Sequence, residues 1–372
     1  MNSTTPSTPP SATGHSSLSW IGCAFAFSLA FNFIAVCLLI LACAGLLLRE
    51  TSFSDDTHNL SEKYLVGSRT ARNRVAVVRL DGVIMEGMLS HVHKQIEQAA
   101  SDNDVKSVVL RVNSPGGTIT ASDDLYRRIL KLRDGDPLHN HPAKPLVTSF
   151  GSIAASGGYY VAAPAQLILA EPRTITGSIG VYGSFPNVQK LADTYGATFT
   201  TIKAGEIKDM GGMFKEMTPR ERQVIQDQID DAYVRFLDII EKGRPKLTKA
   251  VMLERFRVSP INPDLRVRPA AEPYERYRAD GGVFNGSKAK DLGLVDSIGF
   301  LEDAVQEAAK LAGLSEYRGI EYLKPKNLTD ILLNARASST PWDSLQATMS
   351  PRLWYLDPSH ELAVRLSRVT TP

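Results

Sequence analysis

The stretch Phe150–Ala163 reads FGSIAASGGYYVAA: an apolar run, small residues, a serine, a Gly-Gly pair and a short helical pattern. A serine nucleophile needs this setting. Its hydroxyl must stand at the carboxyl end of a strand, and small neighbours must let a substrate backbone approach. Ser156 is the candidate nucleophile. The N–H of Gly157, just after it, then faces the reacting carbonyl oxygen at the start of a helix whose partial positive charge favours an oxyanion. Asn113–Gly117 (NSPGG) ends another strand. Its proline fixes a turn and its glycines free backbone N–H groups. It suits a second oxyanion donor, a backbone edge that pairs with a peptide, or an ordinary tight turn.

A serine also needs a base. The histidines are His15, His58, His91, His93, His139, His141 and His360, and none falls between Pro142 and Ser359, where the other motifs lie. Lysine is the remaining choice. Its reference pKa is about 10.4, so bringing it near 7 takes roughly 4 kcal/mol of destabilisation of the charged form, which burial can supply. Thr201–Met210 reads TIKAGEIKDM, on the exit from a predicted strand, and makes Lys208 the candidate base with Lys203 second. Thr174–Gly180 (TITGSIG) places Ser178 between glycines at a strand start, where its hydroxyl can orient a lysine amine.

The hydropathy pattern describes a scaffold for these residues. Strands are predicted at Arg74–Leu80, Val105–Val112, Pro145–Phe150, Gln166–Ala170, Ile179–Tyr182 and Thr198–Ile202. Helices are predicted at Leu89–Ala100, Thr120–Leu132, Ser156–Ala163, Val188–Thr194, Pro219–Lys242 and Lys249–Phe256, with a helix–strand–helix unit over Gly286–Leu311. Such alternation implies an α/β fold with a largely parallel sheet. Arg257–Ala279, rich in proline and arginine, is expected as an inserted loop.

Residues 1–17 are mostly Ser, Thr and Pro and are expected to be a disordered tail. From Trp20 to Leu48 the chain is almost continuously apolar, longer than the ~20 residues that span a bilayer core, so residues 18–48 are predicted as an uncleaved transmembrane helix. Residues 49–73 are expected as a polar linker. Cys23, Cys37 and Cys43 are the only cysteines and lie within the apolar run, which removes a cysteine nucleophile or a thiolate metal site from the remainder. A net charge of +2 with no basic stripe removes nucleic acid as a partner. The arginines and lysines that follow the apolar run, Arg49 to Arg74, place the rest of the chain in the cytoplasm by the charge rule.

Taken in order, NSPGG, ASGGYYVA, TGSIG, KAGEIKD and NGSKAKDLGLVDSIG (Asn285–Gly299) closely resemble the signal peptide peptidase A family of bacterial serine proteases, over roughly Arg74–Leu311. The resemblance implies a crotonase-like, Clp-protease-like domain at 74–321, preceded by one anchor and followed by a tail at 322–372. It implies Ser156 as nucleophile, Lys208 as base and Ser178 as the residue that positions the lysine. It implies an oxyanion hole from the N–H groups of Gly157 and Gly117, with Gly116 as the alternative to Gly117. It further implies a homo-oligomeric ring in which serine and lysine come from adjacent copies. The expected substrates are hydrophobic peptides such as remnant signal peptides, with neither metal nor cofactor. The domain would be single-pass in the inner membrane and face the extracytoplasmic side, against the charge rule. A crotonase-type acyl-CoA enzyme and a non-enzymatic membrane scaffold are the rival readings.

Overall fold

The computed structural model of the protein describes residues 28, 31–39, 60–258 and 272–323, and the backbone of 353–356. The chain divides into two compact units, residues 1–59 and 60–372. In the first, residues 31–39 are helical, with Phe31, Phe33, Ile34, Leu38 and Leu39 exposed. The transmembrane span expected over 18–48 otherwise lies outside the described residues. Among the described residues no helix is long and apolar enough to cross a membrane.

The second unit is a mixed α/β domain, and its first half alternates strands and helices. It opens with β1 (Glu62–Gly67), β2 (Arg74–Asp81), α1 (Ser90–Ser101), β3 (Val105–Ser114), β4 (Gly116–Thr118), α2 (Ile119–Asp134), β5 (Leu146–Ala155), α3 (Gly157–Ala162), β6 (Leu167–Ala170), β7 (Ile175–Gly177) and β8 (Tyr182–Gly183). There follow α4 (Gln189–Thr194), α5 (Pro219–Gly243), α6 (Lys249–Leu253), β9 (Arg255–Val258), β10 (Tyr274–Tyr277), β11 (Val283–Asn285), α7 (Gly286–Asp291), β12 (Ser297–Ile298), α8 (Leu301–Leu311), β13 (Arg318–Tyr322) and β14 (Leu353–Leu356).

The main sheet runs β1-β13-β2-β3-β5-β6-β12, with β7 and β11 branching from β5. The pairs from β13 through to β12 are parallel, as is β5 with β7; β1–β13 and β7–β11 are antiparallel. This largely parallel sheet fits a Clp-protease-like fold. The reason is visible in β2. Its run VAVVRL alternates between two buried faces: Val75 and Val77 pack with Ala304, Val305, Ala308 and Ala309 of α8, while Ala76, Val78 and Leu80 pack with α1 and α2. A strand covered on both faces has no polar side to present, so it reads as one apolar run. Leu125 and Ile129 of α2 are fully buried, each contributing roughly 1.5–3 kcal/mol.

Five elements depart from expectation. The small-residue segment Gly151–Ala155, which lies beyond the predicted strand Pro145–Phe150, extends β5, because β7 supplies a second parallel partner once β6 has ended. Thr198–Ile202 forms no strand: no sheet edge meets it, and Ile202 is 95% exposed. Ile179–Tyr182 is replaced by β7 and β8 on either side of an irregular connection over 178–181. Arg257–Ala279, expected as a loop, contains part of an antiparallel ribbon, β9 with β10. Within the segment read as a linker, β1 pairs with β13 at the sheet edge.

Candidate active site

Ser156 is the single residue between β5 and α3, with φ 53° and ψ −118°. A side chain in this region is strained by about 1–3 kcal/mol and persists only where its surroundings over-determine it. They do so here. The Ser156 N–H donates to the Gly177 carbonyl at 2.8 Å, and its carbonyl accepts from the Tyr160 N–H at 2.9 Å. The next turn is anchored by Tyr159 and Tyr160, both fully buried. The Tyr159 hydroxyl donates to the Leu294 carbonyl at 2.7 Å, and burial pushes it far above the ordinary tyrosine range, so it stays a donor. The Ser156 Oγ has no hydrogen-bond partner among the described residues, although the residue is 1% exposed.

Ser178 stands beside it. Ala155 and Gly177 are paired across β5 and β7, so the two serines are the next residues on neighbouring parallel strands. Ser178 also has positive φ, 50°, and its N–H donates to the Gly282 carbonyl at 2.8 Å. Among the described non-glycine residues, only Asn140, Ser156 and Ser178 have positive φ. Two of these three are the serines singled out from sequence.

Gly117 lies in a parallel bridge with Ile84. The Ile84 N–H donates to the Gly116 carbonyl and the Thr118 N–H donates to the Ile84 carbonyl, each at 2.9 Å. In a strand the polar groups of successive residues point to opposite edges. Those of Gly117 therefore face away from Ile84, toward β14, where Tyr355 is paired with Gly117. Gly116 is already committed, since its N–H donates to Ser114 Oγ at 3.1 Å. Gly117 is the better placed of the two to act as a donor beside Gly157, since the Gly116 N–H is held within its own turn.

The two glycines are tightly placed. A Cβ on Gly117 would stand 1.8 Å from the Ile84 carbonyl oxygen, and one on Gly157 would stand 2.6 Å from Ser122 Oγ and 3.1 Å from the Gly117 nitrogen. The Gly157 backbone and the Gly117 N–H are thus immediate neighbours. We expect Gly157→Ala to force them apart and lower kcat about 10²–10³-fold with little change in KM. Steady-state peptide hydrolysis, with circular dichroism as the fold control, checks this.

Sequence reasoning missed Ser122. It is fully buried on α2 against Gly157, and its hydroxyl has no partner among the described residues. The available signal was a serine on the apolar face of α2, one position after Ala121 and three before Leu125.

Lys208 is not brought to Ser156 within this chain. It lies on the irregular segment 196–218, is exposed, and its amine makes no hydrogen bond or ion pair with the described residues. Lys203, the second candidate, is committed to Asp209, which also accepts from Lys215 at 3.0 Å. These two ammonium groups hold the Asp209 carboxyl down to about 2. Lys215 in turn pairs with Glu221, whose side chain accepts from the Thr218 N–H at 3.0 Å and caps α5. The loop carrying Lys208 is thus tied to a helix start while its own amine stays free. The described lysine whose pKa is lowered, to about 8 by burial, is Lys144. Its amine donates to the Asp102 and Val105 carbonyls at 2.6 and 2.9 Å. Val105 opens β3 and Ser114 closes it, so about 30 Å of strand separates Lys144 from the site.

A buried, uncommitted hydroxyl at a strained position on the carboxyl edge of a parallel sheet, with the Gly157 and Gly117 backbones adjacent, is the arrangement of an acyl-transfer enzyme. The model of peptidase family S49 matches residues 139–253 and 272–315. The chain is 33% identical over 245 residues, 66% of its length and 76% of the relative's, to a provisionally named protease from Synechocystis sp.. It is 34% identical over 261 residues, 70% of its length, to a provisionally named signal peptide peptidase SppA from Enterococcus faecium, of which 66% is covered. It is 31% identical over 272 residues, 71% of its length, to Protease 4 of Salmonella typhi, of which only 39% is covered. The chain belongs to peptidase family S49, the family of the signal peptide peptidase A proteins.

Proposed function

We propose that the protein is a membrane-anchored serine endopeptidase in which Ser156 attacks the substrate carbonyl and Lys208 of a neighbouring copy takes the serine proton. The observation that carries this reading is the strained, buried Ser156 set beside Ser178 and the Gly157–Gly117 pair. The Ser156 oxygen bonds to the carbonyl carbon as its proton passes to the lysine amine. The N–H groups of Gly157 and Gly117 hold the oxyanion. The lysine returns the proton to the leaving amine, and water then releases the acyl group from Ser156. Ser178 would orient the lysine amine. The cycle as written uses side chains, backbone and water alone.

The neighbouring copy is argued from the segment that bears Lys208. Tyr195 is 82% exposed and Ile202 95%, so covering this segment would bury apolar surface and strip water from the amine. A base of this kind needs that desolvation. A ring of copies on a crotonase-like, Clp-like fold would supply it. The exposed apolar side chains at 31–39 support an anchor in a lipid bilayer, and the relative named as a signal peptide peptidase supports remnant signal peptides as substrates. The extracytoplasmic face of the inner membrane is the side that the family resemblance implies.

The test is an acylating fluorophosphonate probe on the full-length protein in membranes. Label on Ser156, blocked by a hydrophobic peptide, is expected. Peptide hydrolysis with the label elsewhere would sink the assignment. Absence of both label and turnover in an assembled protein would favour a scaffold or an acyl-CoA enzyme.

A further inference from the structure

Ser178 owes its conformation to one turn. It holds a positive φ of 50°, and Gly177 before it holds one of 85°. The turn Asp280–Val283 meets this strained pair on both sides. Gly177 pairs with Val283 across β7 and β11, the Ser178 N–H donates to the Gly282 carbonyl at 2.8 Å, and the Ile179 carbonyl accepts from the Gly281 N–H at 3.1 Å. A strained residue stays in place only while its surroundings impose it, so the position of the Ser178 hydroxyl depends on what holds this turn.

Arg276 of β10 holds it. Its Nε and Nη2 donate to the two carboxylate oxygens of Asp280 at 2.7 and 2.9 Å, and its Nη1 donates to the Val283 carbonyl at 3.0 Å. The Gly282 N–H donates to the same carboxylate at 2.9 Å, so the ion pair closes the turn from within. The guanidinium lies 4.1 Å from the centre of the Phe284 ring. A Cβ on Gly282 would stand 2.2 Å from Nη2, so the guanidinium fills the space beside that peptide. The Arg276 and Asp280 side chains are only 16% and 17% exposed, and among the described residues Asp280 pairs with no other cation. A planar fork suits this double task, and an ammonium does not. Only four positions separate the two residues, so this short span sets the grip and the length of the ribbon does not.

We propose that Arg276 is a positioning residue for the reaction: it fixes the Asp280–Val283 turn, the turn fixes Ser178, and Ser178 orients the lysine amine. The proposal rests on the reading of Ser178 given above. Displacement of a reacting group by about 1 Å costs on the order of 10²-fold in rate, so a loosened turn acts on kcat.

The experiment measures peptide hydrolysis by the full-length protein in membranes, with Ser156 labelling to count active sites and circular dichroism to check the fold. Arg276→Ala should lower kcat about 30-fold with KM within about twofold of wild type. Arg276→Ala with Asp280→Asn, which leaves no unpaired carboxylate and so protects folding, should lose kcat to a similar extent. Arg276→Lys should fall between them and wild type, about fivefold down, because it keeps the charge without the fork. Ser178→Ala should itself be impaired, and adding Arg276→Ala to it should cost less than about threefold more, because the two act through one hydroxyl. Losses that multiply in full between Ser178 and Arg276 overturn the proposal, as does a raised KM with kcat unchanged. Normal kcat in the folded Arg276→Ala, Asp280→Asn protein also overturns it, and an impaired Ser178→Ala then leaves the Ser178 reading standing. Normal kcat in Ser178→Ala overturns both together.

Discussion

Ser156→Ala should lower peptide hydrolysis by at least about 10⁴-fold while leaving the protein folded and assembled. Two features make the substitution clean. Serine and alanine carry the same strain at φ 53°, so the backbone has no new reason to move. The hydroxyl has no partner among the described residues, so no hydrogen bond within the fold is lost. Thermal unfolding should therefore shift by no more than the ~0.5 kcal/mol typical of neutral substitutions. The residual rate reports what the Gly157–Gly117 pair can do without a nucleophile. A purified alanine variant that keeps more than a tenth of the activity would remove Ser156 from the mechanism.

Lys208→Ala should be comparably inactive, whereas Lys203→Ala should lose less than about tenfold. The contrast follows from the structure: the Lys203 ammonium is committed to Asp209, and Lys215 remains to hold that carboxylate when Lys203 is removed. Exposed Lys208 is free. The decisive form of the test mixes two inactive proteins. Co-assembled Ser156→Ala and Lys208→Ala subunits should recover a measurable fraction of wild-type turnover, because some junctions then place an intact serine against an intact lysine. Mixtures that stay inactive, despite mixed assembly shown by differential tagging, would confine any lysine to the serine's own chain.

The strands and helices that build the sheet were legible because burial on both faces imprints itself on composition. VAVVRL and VKSVVLRV read as strands for the same reason that they pack as strands. The serines were legible through their glycine neighbours. What could not be read is what depends on distant chain. Gly151–Ala155 has the small residues of a turn, and only the presence of β7 makes it a strand. Thr198–Ile202 has the β-branched residues of a strand, but no edge is offered to it. Ser122 was hidden because what it packs against, Gly157, lies 35 positions away. The pairing of Leu353–Leu356 with β4 and β8 was hidden likewise, since its partners lie at least 170 residues back. Lys208 is the instructive case. Its motif was plain, but a single chain leaves it without a serine to serve.

The shift of β5 from β6 to β7 has an evolutionary corollary. The pairing of Ala155 with Gly177 sets which side chain neighbours the nucleophile. Removing one residue from the connection Glu171–Thr174 would slide the whole of β7 and present Ile179 where a hydroxyl now stands. Length in that short connection is as constrained as chemistry. The ribbon between β9 and β10 sets no such alignment, and the family match indeed lapses after residue 253 and resumes at 272. Insertions and deletions should thus accumulate at the ribbon and be absent from the stretch leading into β7.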